Sequence, residues 1–175
     1  PSSFLTKSSG SLIDFGRVKI DNFITQLGSK TNFAGVVDRL DLQTQIYSIG
    51  RVKQKLLFGD DIPFKIVFKT QLPHGEIRLV LTPSEGLLQL DDQTTSFDLS
   101  KPLETNEFVL TINADKVKTS QEFLIRRSSR DKTIVSLSKS VAISAGSKTG
   151  DNMDLTLRGS NIKRNEAIIN TLIEV

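Results

Sequence analysis

Apolar residues recur along this chain with two periods, and the change between them marks out its elements. Ile20, Phe23, Ile24 and Leu27 stand at i, i+3, i+4 and i+7, which predicts a helix ended by Gly28 as its C′ residue. Phe33, Val36, Val37 and Leu40 repeat that spacing, predicting a second helix capped by Ser29 or Thr31. The period then shortens. Leu42 to Phe68 reads as a strand-like stretch, a basic connector, a turn of Gly59, Asp60 and Asp61, and a second strand opened by Pro63. In that strand Phe64, Ile66 and Phe68 alternate with Lys65, Val67 and Lys69, one face for a core and one for water.

Strand signals continue through Ile77–Leu81, Leu87–Leu90, Ser96–Leu99 and Phe108–Ile112, separated by turns at Leu72–Gly75 and Pro83–Gly86. Residues 83–118 carry the least regular pattern. After the apolar Phe123–Ile125, Asp131 is the expected N-cap of a short helix bearing Ile134, Val135 and Leu137. Val141–Ile143 and Leu155–Leu157 read as strands joined by the loop Gly146–Asn152, and Ser3–Lys7 as a further short strand before a polar loop. Ser160 or Asn161 then caps a last helix whose apolar stripe is Ile168, Ile169, Leu172 and Ile173. The expected fold is therefore α+β: a mixed β-sheet with helices on one face and a strand-rich central insert, forming one domain over residues 1–175. There is no internal repeat or low-complexity tract.

Composition changes this picture little. With 175 residues the chain is long enough to bury a core without staples. The absence of Cys excludes disulfides, thiolate metal sites and a cysteine nucleophile. Ten Phe against one Tyr and no Trp place the aromatic mass inside. The net charge of +3 comes from Lys and Arg spread along the chain, which argues against a nucleic-acid partner. No apolar run is long enough for a membrane helix. The chain opens at Pro1 and stops at Val175 within a helical pattern, so it reads as a fragment whose flanking membrane segments lie outside it.

No catalytic constellation stands out. Ser147-Lys148-Thr149-Gly150 after Gly146 lacks the spacing of a phosphate loop and is followed by a strand, so it reads as a flexible loop. His74, the single histidine, sits in a turn without a second His or any Cys to complete a metal site. Asp60-Asp61 and Asp91-Asp92 lack the alternating ligands of a calcium loop and read as solvated turns. Arg51, Lys53 and Lys55 alternate as one solvated strand face. The feature with chemistry to offer is the run Arg126, Arg127, Arg130 and Lys132. Arginine forks bind carboxylates and phosphates in pairs, so these four are candidates for contact with an acidic glycan, a lipid headgroup or the acids of a neighbouring subunit. The competing reading is a solvated loop paired to Asp131 or Glu122. No cofactor motif is present.

Three patches carry a family resemblance. Ile24 to Leu42 supplies an Ile, a Leu and Ser29, then Val36, Val37, Leu40 and Leu42. Tyr47 stands three residues before Gly50-Arg51-Val52-Lys53, followed by an apolar run, Pro63-Phe64 and the alternating strand. Phe123 to Arg130, then Leu155 to Asn161 with Ala167, Asn170, Leu172 and Val175, form the third patch. In this order they resemble the periplasmic domain of polysaccharide co-polymerases, the Wzz-type chain-length determinants and Wzc-type exopolysaccharide tyrosine autokinases, in Bacteroidetes-like form. The resemblance implies a periplasmic, non-enzymatic scaffold domain of an inner-membrane protein. It further implies self-association into rings, work with the polysaccharide polymerase and export machinery, and attachment to the membrane through segments absent here, as would be any kinase module. The alternative class is a stand-alone periplasmic carbohydrate-binding module, for which one Tyr and no Trp are poor equipment.

Overall fold

The computed structural model of the chain describes residues 19–70, 76–146 and 152–175, and the strand expected over Ser3–Lys7 lies outside them. The chain forms two compact units. One is strand-rich, made of Asp41–Thr133 with Ser160–Arg164; the other is mainly helical, made of the residues up to Leu40 with Ile134–Gly159 and Asn165–Val175. The fold is α+β, as the sequence predicts. The single mixed sheet is replaced by three sheets, and every ladder among the described residues is antiparallel.

The strand-rich unit begins with β1 (Thr44–Ile49) and β2 (Gln54–Leu57), a hairpin that the sequence hides. Its turn holds Gly50 to Lys53, so Arg51 and Lys53 belong to the connection and only Lys55 lies on a strand. A single 3₁₀ turn, Gly59–Asp61, with Gly59 at φ 60°, leads into β3 (Phe64–Phe68). Next come β4 (Ile77–Leu81), β5 (Gly86–Leu90), β6 (Gln93–Phe97), β7 (Leu103–Glu104), β8 (Phe108–Ile112) and β9 (Gln121–Arg127). They resolve the irregular stretch 83–118. The six-stranded sheet runs β2-β1-β9-β4-β5-β6, and β7 and β8 pair with β3 in a sheet ordered β3-β8-β7.

One apolar core lies between these two sheets. Ile46, Ile77, Leu79, Leu88, Phe123 and Ile125 come from the large sheet, and Phe64, Phe108, Leu110 and Ile112 from the small one. Phe64 meets Phe123 edge-on, with ring centroids 5.3 Å apart at 80°, which locks the sheets together at the centre. The period-two pattern is obeyed in β3, where Phe64 is buried and Lys65 and Val67 are exposed. Gly86 serves packing rather than turning. A Cβ there would come within 2.2 Å of the Phe97 ring, because Phe97 is its direct cross-strand partner.

The helical unit holds α1 (residues 19–27) and α2 (Lys30–Arg39), most of α3 (Arg130–Ser140) and of α4 (Ile162–Glu174), and the hairpin of β10 (Val141–Ala145) and β11 (Met153–Leu157). Ser29 caps α2, its hydroxyl accepting the Asn32 N–H at 3.3 Å. Gly28 does not adopt the left-handed conformation expected of a C′ residue; it is Asp41, after α2, that does so, at φ 45°. The cap of α3 is Ser129 rather than Asp131: the Ser129 hydroxyl and carbonyl accept the N–H groups of Lys132 and Thr133. Asp131 instead occupies the first turn, where its charge favours the helix dipole.

The stripe on α4 is narrower than the pattern predicts. Ile168 and Leu172 are fully buried with Thr171, Ile169 is half-buried, and Ile173 is 57% exposed. Four apolar residues over six positions span more arc than the buried face of the helix, and Thr171 takes the place of Ile173. Leu172→Ala should therefore destabilise the chain by roughly 2–5 kcal/mol, whereas Ile173→Ala should change it by at most about 0.5 kcal/mol. Urea denaturation of the two variants, followed by circular dichroism, checks the contrast.

Candidate functional site

The strand β9 determines what the basic run can do. Successive side chains on a strand point to opposite faces, so Arg126 and Arg127 diverge. They are not in the expected loop but are the last two residues of β9, paired with Gln45 and Thr44 of β1. Arg126 points to the face away from the core between the sheets. Its Nε donates to Glu76 Oε1 at 2.6 Å, and its guanidinium stands 5.7 Å from the centroid of the Tyr47 ring. Tyr47 Oη in turn donates to Gln45 Oε1 at 2.9 Å.

Arg127 turns the other way. Its guanidinium lies over the Phe68 ring at 4.3 Å, and Nη1 donates to Thr44 Oγ1 at 3.1 Å. Phe68 is itself held edge-on by Phe108, with centroids 5.9 Å apart. This is a structural role: a charged group with a planar head covers the rim of the core, gaining cation–π attraction while its tip remains partly wet. Arg130 and Lys132 sit in the first turn of α3, exposed and beyond the reach of the strand's alternation. The four candidates are thus distributed over two sheet faces and a helix, and they do not converge on one ligand-sized point.

The acidic pairs have definite places. Asp91 and Asp92 form the two-residue loop of the β5–β6 hairpin, with Asp91 at φ 51°, which a short polar side chain tolerates. Asp61 pairs with Lys163 at 2.9 Å, and Lys116 Nζ donates to the Asp60 carbonyl at 2.7 Å. The hydrogen bond and charge of Lys163 hold the Asp61 carboxyl below its usual 3.8, and Asp61 holds Lys163 above its usual 10.5. No group of three or more potential metal ligands occurs among the described residues. His74 and the Ser147–Gly150 stretch lie outside them.

Asn161 caps α4, as one of the two residues the sequence offers for that place, but its second bond and the groove described next have no local signal in the sequence. Asn161 works in both directions, its Oδ1 accepting the Arg164 N–H at 2.9 Å and its Nδ2 donating to the Leu56 carbonyl at 2.9 Å. It thereby caps α4 and covers the outer edge of β2 at once. In the helical unit, Phe23, Leu27, Met153, Leu155 and Ile173 line an open groove of about 540 Å³. These residues lie far apart in sequence, and only the fold brings them together.

No protein-family model matches the chain, and no curated protein matches it.

The unequal settings of the two arginines give a direct test. Arg127→Ala should destabilise the chain by about 1–2 kcal/mol through lost stacking on Phe68, while Arg126→Ala should stay within about 0.5 kcal/mol, as for an exposed ion pair. Equilibrium unfolding in urea measures both.

The Asp61–Lys163 pair predicts a pH dependence. The Asp61 pKa is depressed on folding, so its contribution is present above 3.8 and is lost as pH falls through the depressed value. The Lys163 pKa is raised, so its contribution is present below 10.5 and is lost as pH rises through the raised value. Lys163→Met should lower stability between those limits, with the difference from wild type vanishing at both extremes. Denaturant midpoints followed from neutral pH down through and well below 3.8, and up through and well above 10.5, check this.

Proposed function

We propose that this chain is a periplasmic scaffolding domain of an inner-membrane polysaccharide co-polymerase, regulating the chain length and export of a lipopolysaccharide, capsule or exopolysaccharide. The observation that carries this reading is the order of the three resembling patches along the chain and the elements they occupy. The first runs from the end of α1 through α2 to Leu42, the second covers β1 to β3, and the third joins β9 to α3 and β11 to α4. Their apolar members Val36, Val37, Leu42, Phe64, Phe123 and Leu172 are buried, as positions that define a fold must be. Their order along the chain and their burial are what support reading the three patches together.

In this reading the domain makes and breaks no bond. It offers shape: an antiparallel sandwich and a helical unit that set how copies of the parent protein stand together beside the polymerase. Contacts between such domains are small and polar, and membrane anchoring supplies the effective concentration that holds them together. Detached from the membrane, the domain is a monomer or associates weakly.

The experiment is made in cells whose surface polysaccharide has a measurable length distribution. Leu172→Asp in the parent protein, which buries a charge in α4, should abolish the modal length seen on gels while Ile173→Asp leaves it intact. A modal length unchanged by Leu172→Asp, in a protein shown to be misfolded by limited proteolysis, would overturn the assignment.

A further inference from the structure

The two sheets of the strand-rich unit end in four edge strands, β2, β3, β7 and β6. An edge presents a row of N–H and C=O groups to any extended chain, and folded proteins blunt it with charge, proline, shortness or cover. All but β6 are blunted in this way. Asn161 donates to the Leu56 carbonyl of β2. β3 is opened by Pro63 and bears the exposed Lys65, with Lys69 just beyond its end. β7 has only two residues and follows Pro102.

β6 has none of these devices. It carries no charge and no proline, and its ladder with β5 runs through all five residues without a bulge. Gln93 to Ser96 are exposed, and Phe97 is half-buried. The hairpin decides which backbone groups are free. Residues flanking a two-residue loop exchange both of their bonds, and such pairs recur at every second position. Leu90 and Gln93 flank the Asp91-Asp92 loop, so Gln93, Thr95 and Phe97 direct their backbone groups to β5. Thr94 and Ser96 direct theirs outward, and among the described residues no strand meets them.

Charge at the two ends of this edge selects what can pair with it. Asp91 and Asp92 stand exposed before β6, and Asp98 stands exposed after it. The nearest cation in sequence, Lys101, follows only after a turn. A second copy of β6 is a poor occupant. Antiparallel pairing over the whole strand, centred on Thr95, would set Asp92 against Asp98 of the copy at both ends, and like charges directly opposite are destabilising. A strand with cationic ends meets the same acids as counter-charges.

We propose that β6 is a strand-addition site for an extended peptide segment of another protein, with lysine or arginine at both ends and uncharged β-branched residues between. The Thr94 and Ser96 backbone groups hold the segment and extend the six-stranded sheet by one strand. Asp91, Asp92 and Asp98 choose its charge. The site goes beyond the scaffold reading and stands without it.

The probe is the peptide Lys-Thr-Val-Thr-Val-Thr-Lys, with Glu-Thr-Val-Thr-Val-Thr-Glu as its acidic counterpart. Amide hydrogen exchange of the chain, read by NMR, should show Thr94 and Ser96 unprotected in the free state and Thr95 protected. The lysine-ended peptide should slow exchange at Thr94 and Ser96 saturably, with a midpoint about tenfold or more below that of the acidic one. Thr94→Pro removes an outward N–H and leaves the ladder to β5 in place, so it should abolish this protection at Ser96 with a near wild-type melting temperature. Should that variant melt well below wild type, Asp91→Asn with Asp92→Asn takes its place. Asn suits the left-handed position at 91, so the hairpin is kept, and the gap between the two peptides should narrow. No protection by either peptide, equal midpoints for the two, undiminished binding by Thr94→Pro, or an unchanged gap in the double variant would overturn the proposal. So would protection of Thr94 and Ser96 that rises with protein concentration alone, which would give the edge to a second copy.

Discussion

The backbone ladder on both sides of β9 holds the strand-rich unit together. In the order β2-β1-β9-β4-β5-β6, each flank is a ribbon of neighbouring hairpins, and β9 arrives from far along the chain to join them. Without it, β1 and β4 would each bury an unpaired edge of N–H and C=O groups. Its register is fixed as firmly as its presence. Phe123 and Ile125 face the core while Leu124, on the other face, is also buried, so this strand is closed on both sides at its centre. A slip of one residue would send Arg126 into the place of Ile125 and expose Phe123. Joining strands so distant in sequence is slow as well as cooperative, because the loop entropy must be overcome before any pairing is gained.

The same alternation governs the chemistry at the end of β9. Two adjacent arginines became two different devices, one lying on Phe68 at the rim of the core and one standing beside Tyr47 at the surface. Their neighbourhood is shaped further by Asn161, whose single amide serves a helix end and a strand edge together. A side chain with both a donor and an acceptor is needed for that, which Ser160 could not provide across the same gap. The polar groups that matter on this face thus owe their positions to backbone geometry first and to their own charge second.

Much of the fold was legible because local pattern and tertiary environment agree. Strands β4 and β8 begin and end where the apolar alternation does, and α2 buries Phe33, Val36 and Val37 as its spacing requires. β2 escaped because Gln54 to Leu57 has no alternation: its Leu57 faces the core and Leu56 the far side, so the pattern reads as a run. The cap of α3 was misplaced by two residues since Asp131 and Ser129 both suit the role, and only the hydrogen bonds decide. On α4 the hydrophobic stripe was overcounted at Ile173, which faces an open groove instead of the core. The basic run is visible in the sequence, but its division is not, because nothing local shows that β9 continues through Arg127. The bond from Asn161 to the Leu56 carbonyl spans about a hundred residues, and no local signal marks it.

Gly86 and Phe97 behave as one unit of variation rather than as two residues. The ring fills the space over Gly86 that any other side chain would occupy, and it is this cover that keeps the glycine buried. Neither position can drift alone: a larger residue at 86 evicts the ring, and a smaller one at 97 leaves the space over Gly86 unfilled. Among sequences that share this fold, the pair should exchange together, with a side chain at 86 accompanied by loss of the aromatic at 97. A glycine that looks like a turn in one sequence is thus the record of a partner eleven residues away.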